Sequence, residues 1–418
     1  MERMTGFPPE KDSRVTVANW QDPGSVRWAF RHMREIIPTQ VIPAGPAPAA
    51  DFAKRRDVDL AGITVHRLSG DTTSVEDVFD ETSTDALIVL HDGVLLTERY
   101  YAGNTESTPH LLMSVSKSIV GCVAGILSDR GTLDVSASVE HYVPEVAHSG
   151  YGGATVRDLL DMRTGVQFRE TYDSPDAEVR VMERSMGWHP RRDDDPVGAY
   201  AYLASLERAE PHGGTFTYRS ADTDMLGWVC ERAAGTRMAD LVSTLLWRPM
   251  GAEADAEITC DAVGTGIHDG GISAVARDLA RFGRLLMDGG TVDGREVVPA
   301  AWIEESWNRP DAVRAAFAAS DNEEVLPGGW YRNQFWFVPT HLGEAMLCLG
   351  IHGQMVYVNR ATRLVGVKLS SWPTPQHTAS LVDTIRSFGA IGVALGAADG
   401  DLQPQARKGR KGRKGRRH

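Results

Sequence analysis

The chain has 418 residues, 42% of them hydrophobic and 24% charged, which is long enough and apolar enough to bury a large core. Its formal net charge is −12, yet residues 406–418, ARKGRKGRKGRRH, hold eight basic side chains and no acidic one. The rest therefore carries about −20, which argues against nucleic-acid binding through the folded body.

Residues 1 to about 60 read as Pro-rich and irregular, with one helical patch around WAFRHMREII. ALIVLHDGVLLTERYYAG reads as a hairpin, Ala86–Leu90 and Val94–Tyr101 joined at Asp92-Gly93. Ser114 to about Arg130 reads as a helix whose apolar residues surround most of its circumference, so burial on nearly all sides is expected. VRDLLDMRTGV and DMLGWVCERAAG read as helices closed by glycine, and ISAVARDLARFGRLLMDGG as a helical pattern ending at Gly289-Gly290. FWFVP, AMLCLGIHG and MVYVNRATRLVGVKLSSW alternate like antiparallel strands, and a last helical pattern runs near Leu381–Leu395.

These patterns predict an α/β (α+β) chain with an antiparallel sheet flanked by helices and a mostly helical lobe. Residues 1–130 and 265–400 would form a discontinuous α/β domain. Residues 131–264 would form a helical one, and 401–418 a disordered basic tail. Cys122, Cys230, Cys260 and Cys348 are far apart, with no CxxC and no Cys/His cluster, so buried free thiols are expected rather than a zinc site or disulfides. No apolar run of about 18 residues suggests a membrane span. The opening MERMTGFPPEKDSR lacks the apolar segment of a secretory signal, and the expectation is a cytoplasmic protein.

The most informative stretch is HLLMSVSKSIVG. Ser114 and Lys117, one turn apart, share a helix face, and a helix N-terminus favours negative charge developing on the serine. A serine three residues before a lysine is a common accident in a chain with 25 serines. However, the chain before the tail uses only four lysines, Lys11, Lys54, Lys117 and Lys368. Arginine cannot act as a base and lysine can, so a lysine inside an apolar helix looks chemical. If burial and nearby positive charge keep it neutral, Lys117 could take the serine's proton; the plain alternative is a snorkelling lysine.

Tyr218-Arg219-Ser220 reads as a turn before a helix, with Asp222 or Thr223 as N-cap. A tyrosine hydroxyl held near a lysine can serve as a general base, though this motif alone favours a core tyrosine beside a capping serine. Gly350-Ile351-His352-Gly353-Gln354 falls between two strand patterns. Its glycines would let an edge strand approach a ligand and offer one N–H to an oxyanion, with the Ser114 N–H as the other. The plain alternative is a bulge with a solvent-facing histidine.

The order S-x-x-K, Y-x-S, H-G-x resembles the serine β-lactamase and penicillin-binding-protein superfamily. Within it the likeness is to the 6-aminohexanoate-dimer (nylon-oligomer) hydrolases and the carboxylesterases of β-lactamase fold. The likeness extends over WAFRHMREIIP, HLLMSVSKSIVG, DLLDM, YRSADTDMLGWVCERA, GGISAVARDLARFGRLLMDGG, GIHGQ and VKLSSWP. It implies a β-lactamase-like fold, with Ser114 as nucleophile, Lys117 as its activating partner, and Tyr218 as the base and acid serving the leaving amine. Ser220 would support the lysine, and Tyr172 would close over the substrate from a mobile loop. Glu183 would face the substrate's free amine, and Asp269 would lie near the pocket.

Two departures from the superfamily stand out. His352-Gly353-Gln354 replaces K-T-G, removing the lysine that recognises a β-lactam carboxylate, and Ser220 replaces the asparagine of Y-x-N. The expected activity is therefore cleavage of a small linear amide through an acyl-serine, without metal or cofactor. The alternatives are a promiscuous short-chain esterase and a non-catalytic binding protein. The expected partner is a small amide or ester, and a homodimer is left open.

Overall fold

The computed structural model describes residues 3–46, 50–55 and 57–401. The expected disordered tail, from residue 402 onward, lies outside the described residues. The main sheet has seven antiparallel strands in the spatial order Trp330–Arg332, Phe335–Pro339, Glu344–Gly350, Gln354–Asn359, Leu364–Ser370, Thr84–His91 and Val94–Tyr100. The pairing of Leu364–Ser370 with Thr84–His91, which sets Lys368 opposite Leu87, joins strands distant in sequence. Every residue of these two strands is buried, because helices cover both faces of the sheet.

On one face the helix Ala276–Met287 lies across strands 84–91, 354–359 and 364–370. Gly283 permits this approach, since a Cβ there would come within 2.5 Å of Val365. The helix Val115–Asp129 packs between the sheet strands 335–339, 344–350 and 354–359 and the helix Ser220–Ala234. On the other face lie Val75–Glu81, opened by a Ser74/Asp77 capping box, and the last helix, Thr378–Asp401. Its stretch 378–396 is long and apolar enough to cross a membrane by length and composition alone. Within the fold, however, it buries Asp383, Thr384, Ser387, Phe388 and Ile391, and Asp383 pairs with Arg67 at 3.1 Å.

A second sheet, in the order Thr39–Ile42, Ala256–Thr259, Ile272–Ala274, His110–Leu111, positions the functional residues. His110–Leu111 pairs with Ser273 and Ala274, so its register fixes where the helix beginning at Val115 starts. Residues 139–247 are mostly short helices. Several boundaries differ from the sequence expectation. ISA is a strand before its helix begins at Ala276. The helix Val156–Leu160 stops at Asp161, with Met162 left-handed at φ 50°, well before Gly165. All four cysteines are buried and unpaired.

Candidate active site

Ser114 is the N-cap of the helix Val115–Asp129, and Lys117 lies one turn on. The neighbouring serines are spent on structure: Ser116 Oγ accepts the Ile272 N–H at 3.1 Å and Ser118 Oγ donates to the Gln334 carbonyl at 2.8 Å. Ser114 is the one of the three that lines a cavity. Lys117 is 1% exposed. Its Nζ donates to Ser114 Oγ at 2.9 Å, Ser220 Oγ at 3.1 Å and the Asp269 carbonyl at 2.7 Å, with the Asp269 carboxylate at 3.4 Å. The three N–H groups of an ammonium thus face four acceptors, the Asp269 carboxylate being the most distant.

The electrostatics reverse the expectation of a neutral lysine. Burial pushes the Lys117 pKa down, but Tyr218, Asp269, Glu170 and Asp224 push it up, and the net effect lies above the ordinary lysine value. The sequence reading supposed positive neighbours. The fold instead surrounds it with Tyr218 and with acidic groups, Asp269 and Glu170 foremost, which favour the ammonium form.

Tyr218 stands 5.3 Å below the ammonium, measured to the ring centroid. Burial raises its pKa, the Lys117 charge and the Ser114 hydroxyl lower it, and Glu170 raises it, leaving it above the usual phenol value. Ser220 is the first residue of its helix, with Arg219 as N-cap, so Asp222 and Thr223 are not caps. Thr164 donates to Asp222, and Thr223 donates to Gln334.

Asp269 is held by Asp224, whose Oδ1 accepts the backbone N–H groups of His268 at 2.8 Å and Asp269 at 3.0 Å. Burial beside Asp269 pushes the Asp224 pKa up to about 8. Gly227, one turn on, leaves room for His268: a Cβ there would fall 2.0 Å from the imidazole.

Around Ser114 the cavity is walled by Met113, Tyr172, Val179, Met182, Glu183, Met186, Trp188, Asp269, Gly270 and Ile351, with a volume of about 10 Å³. That is room for roughly one water, so the site is closed. Tyr172 closes it. Its hydroxyl donates to Glu170 at 2.6 Å, and its carbonyl accepts from Arg180 at 2.9 and 2.6 Å. Glu183 is 3% exposed, and its Oε2 already holds Arg180 at 2.6 Å, so it is not a free carboxylate. Burial raises its pKa against the pull of Arg180.

His352 and Gly353 depart from the expectation. The imidazole is fully buried, with Nδ1 at 2.7 Å from the Trp372 carbonyl and its ring edge-on to Phe30 at 5.4 Å. Burial pushes its pKa down to about 4, so it is neutral. Neither residue lines the cavity; Ile351 does. His352 is left-handed at φ 61°, and its ring is taken up by the Trp372 carbonyl and Phe30. A Cβ at Gly353 would strike the Trp372 ring at 2.3 Å. Nor is this an edge strand, since Glu344–Gly350 is flanked on both sides.

Sequence reasoning missed Glu170, Arg180 and the apolar wall. The spacing of Val179, Met182 and Met186 was a legible helix face, whereas Glu170 and Arg180 sit among other charges with no distinguishing pattern. Chemically, the site offers a hydroxyl beside an ammonium and a phenol, opening on a narrow apolar slot with a carboxylate–guanidinium pair at its wall.

Residues 73–389 match the family described as Beta-lactamase. A 6-aminohexanoate-dimer hydrolase of Paenarthrobacter ureafaciens is 38% identical over 395 residues, covering 92% of this chain and 97% of that protein. Among solved structures, a Bacillus anthracis protein assigned as a 6-aminohexanoate-dimer hydrolase superposes with a TM-score of 0.82 at 28% identity, covering 96% of this chain and all of that one. A family VIII carboxylesterase shares the fold, with a TM-score of 0.55 at 17% identity over 75% of this chain and 95% of that one.

Proposed function

The chain belongs to the beta-lactamase family, and we propose that it is a hydrolase cleaving short linear amides of the 6-aminohexanoate-dimer type through an acyl-Ser114 intermediate. The observation that carries this reading is the Lys117 ammonium bonded at once to Ser114, Ser220 and Asp269 beside a closed cavity walled by Val179, Met182 and Met186. Ser114 Oγ attacks the amide carbonyl while its proton passes to the Tyr218 oxygen. The Lys117 charge stabilises the phenolate form of Tyr218 that accepts the proton. Backbone N–H groups at Ser114 and in the Ile351 turn would receive the oxyanion.

Collapse breaks the C–N bond, and Tyr218 returns the proton to the leaving amine. Water then attacks the acyl carbonyl, giving its proton to Tyr218 and on to Ser114. The methionine-rich wall takes the methylene chain, and Glu183, shared with Arg180, meets the distal amine. We place the protein in the cytoplasm, where four unpaired cysteines remain thiols.

One observation favours a second reading. Because Arg180 already neutralises Glu183, a substrate without an ammonium group also fits, as in a short-chain esterase. Parallel kcat/KM measurements on the 6-aminohexanoate dimer and on nitrophenyl esters of short acids test both readings. The amide reading expects turnover of the dimer, ester hydrolysis alone supports the esterase, and loss of both leaves a binding protein.

A further inference from the structure

Glu170 does not line the cavity, yet it joins Tyr172, which closes the site, to Ser220, which holds the lysine. Its Oε1 receives the Tyr172 hydroxyl at 2.6 Å and the Ser220 hydroxyl at 2.6 Å, and its Oε2 receives the Ser220 N–H at 2.9 Å. Burial raises the Glu170 pKa, and the Lys117 charge and the Ser220 and Tyr172 hydroxyls pull it back toward the ionised form; a carboxylate only accepts. Ser220 has a single O–H, which is spent on Glu170, so toward Lys117 its oxygen can only accept. Lys117 must therefore donate to Ser220, as it must donate to the Asp269 carbonyl. Its third N–H is left for Ser114 at 2.9 Å, with the Asp269 carboxylate farther off at 3.4 Å, and the Ser114 hydroxyl proton is thereby directed away from the lysine and toward Tyr218.

We infer that Glu170 is a positioning residue: through Ser220 it fixes the direction of the hydrogen-bond chain that holds Lys117 as an ammonium, and through Tyr172 it links that chain to closure of the site. The inference rests on the proposed acyl-serine reading. The groups facing Glu170 are Lys117 from the helix Val115–Asp129, Tyr218 and Ser220 at the start of the helix Ser220–Ala234, Tyr202 from the helix Ala199–Ser205, and Tyr172 from its own segment. Its negative charge raises the pKa of both Lys117 and Tyr218. Removing that charge must lower both.

The test is the pH profile of kcat/KM on a nitrophenyl ester for the wild type, Glu170→Gln and Glu170→Asp. The neutral isostere should lower the plateau about tenfold and move both limbs to lower pH by roughly half a unit or more. The aspartate keeps the charge and should lower the plateau while leaving the limbs in place. Should the glutamine variant fail to fold, Glu170→Ala carries the same expectation. A lower plateau with unmoved limbs in the charge-removing variant would mean a merely structural role and overturn the inference, as would equal limb shifts in Gln and Asp. Fluorophosphonate labelling of wild-type Ser114 separates this failure from that of the underlying reading. No label at Ser114 sinks the reading itself; a label with unmoved limbs sinks only the role of Glu170.

Discussion

Among the described residues two lysines are buried, and they differ in what surrounds them. Lys117 and Lys368 are 1% and 0% exposed. Each donates to a serine hydroxyl, Ser114 in one case and Ser370 in the other. Each lies over an aromatic ring, Tyr218 at 5.3 Å and Trp372 at 5.6 Å. Around Lys117 the fold gathers Asp269, Glu170 and Asp224, and its pKa rises. Around Lys368 burial dominates. Asp85 attracts the charge and Arg27 repels it, and the pKa falls to about 7. Asp85 is itself engaged by Arg27 at 2.9 Å and by His110 at 3.2 Å. A lysine–serine contact is therefore not a site in itself. The charges brought from elsewhere, and a cavity at the serine, separate the reactive pair from the structural one.

The sharpest way to break this comparison is to remove each ammonium in turn. Lys117→Met should lower kcat/KM by about three orders of magnitude or more, measured on ester and amide alike, while circular dichroism keeps its native shape. Lys368→Met should leave both rates within about twofold. If both variants lost activity equally, the distinction between the two environments would fail.

Tyr218→Phe probes what the Lys117 charge acts on. The ring and its packing against Trp336 at 5.1 Å survive, and only the hydroxyl is lost. Turnover should fall about 10²-fold, more for the amide than for a nitrophenyl ester, because an amine must leave protonated. In the wild type, burial keeps the Tyr218 pKa above the usual phenol value, so kcat/KM should climb with pH as the phenolate fraction grows. Equal losses on both substrates would assign Tyr218 to positioning.

Glu183→Gln should have a smaller effect. Since Arg180 already holds the carboxylate at 2.6 Å, kcat/KM for the 6-aminohexanoate dimer should fall roughly three- to tenfold and that for a neutral ester should hardly change. A dimer rate equal to wild type removes Glu183 from substrate binding.

The smallest effect is thermodynamic and belongs to Lys368. Its folded-state value of about 7 lies below the ordinary 10.5. Between those pH values the unfolded chain binds more protons, and stability rises with pH through that window. In Lys368→Met the difference in Tm between pH 7 and pH 9.5 should shrink by a few degrees. An unchanged difference would mean that Lys368 stays charged in the fold.

The same contrast shows what the sequence could and could not tell. Ser114, Lys117 and Tyr218 were legible because helix periodicity and the order of the three motifs are local properties, and the patterns at Ala86–Leu90 and in MVYVNRATRLVGVKLSSW announced antiparallel strands of a sheet flanked by helices. The charge of Lys117 was not legible, because Glu170, Asp224 and Asp269 come from three separate segments that only the tertiary fold assembles. His352 was misplaced for a different reason. Its ring is taken up by the Trp372 carbonyl and Phe30, contacts that a histidine between glycines does not reveal. Glu183 lines the cavity, but its partner Arg180, one turn away, changes what it can offer a substrate.

The central claim is that Ser114, and neither Ser116 nor Ser118, carries the acyl group. Peptide mass spectrometry after reaction with a fluorophosphonate tests it most directly, with Ser114→Ala as the control. The account predicts a single adduct on Ser114, loss of ester and amide hydrolysis in step with labelling, and no adduct in the alanine variant. An adduct on Ser116 or Ser118, or hydrolysis that continues after Ser114 is fully labelled, would contradict it.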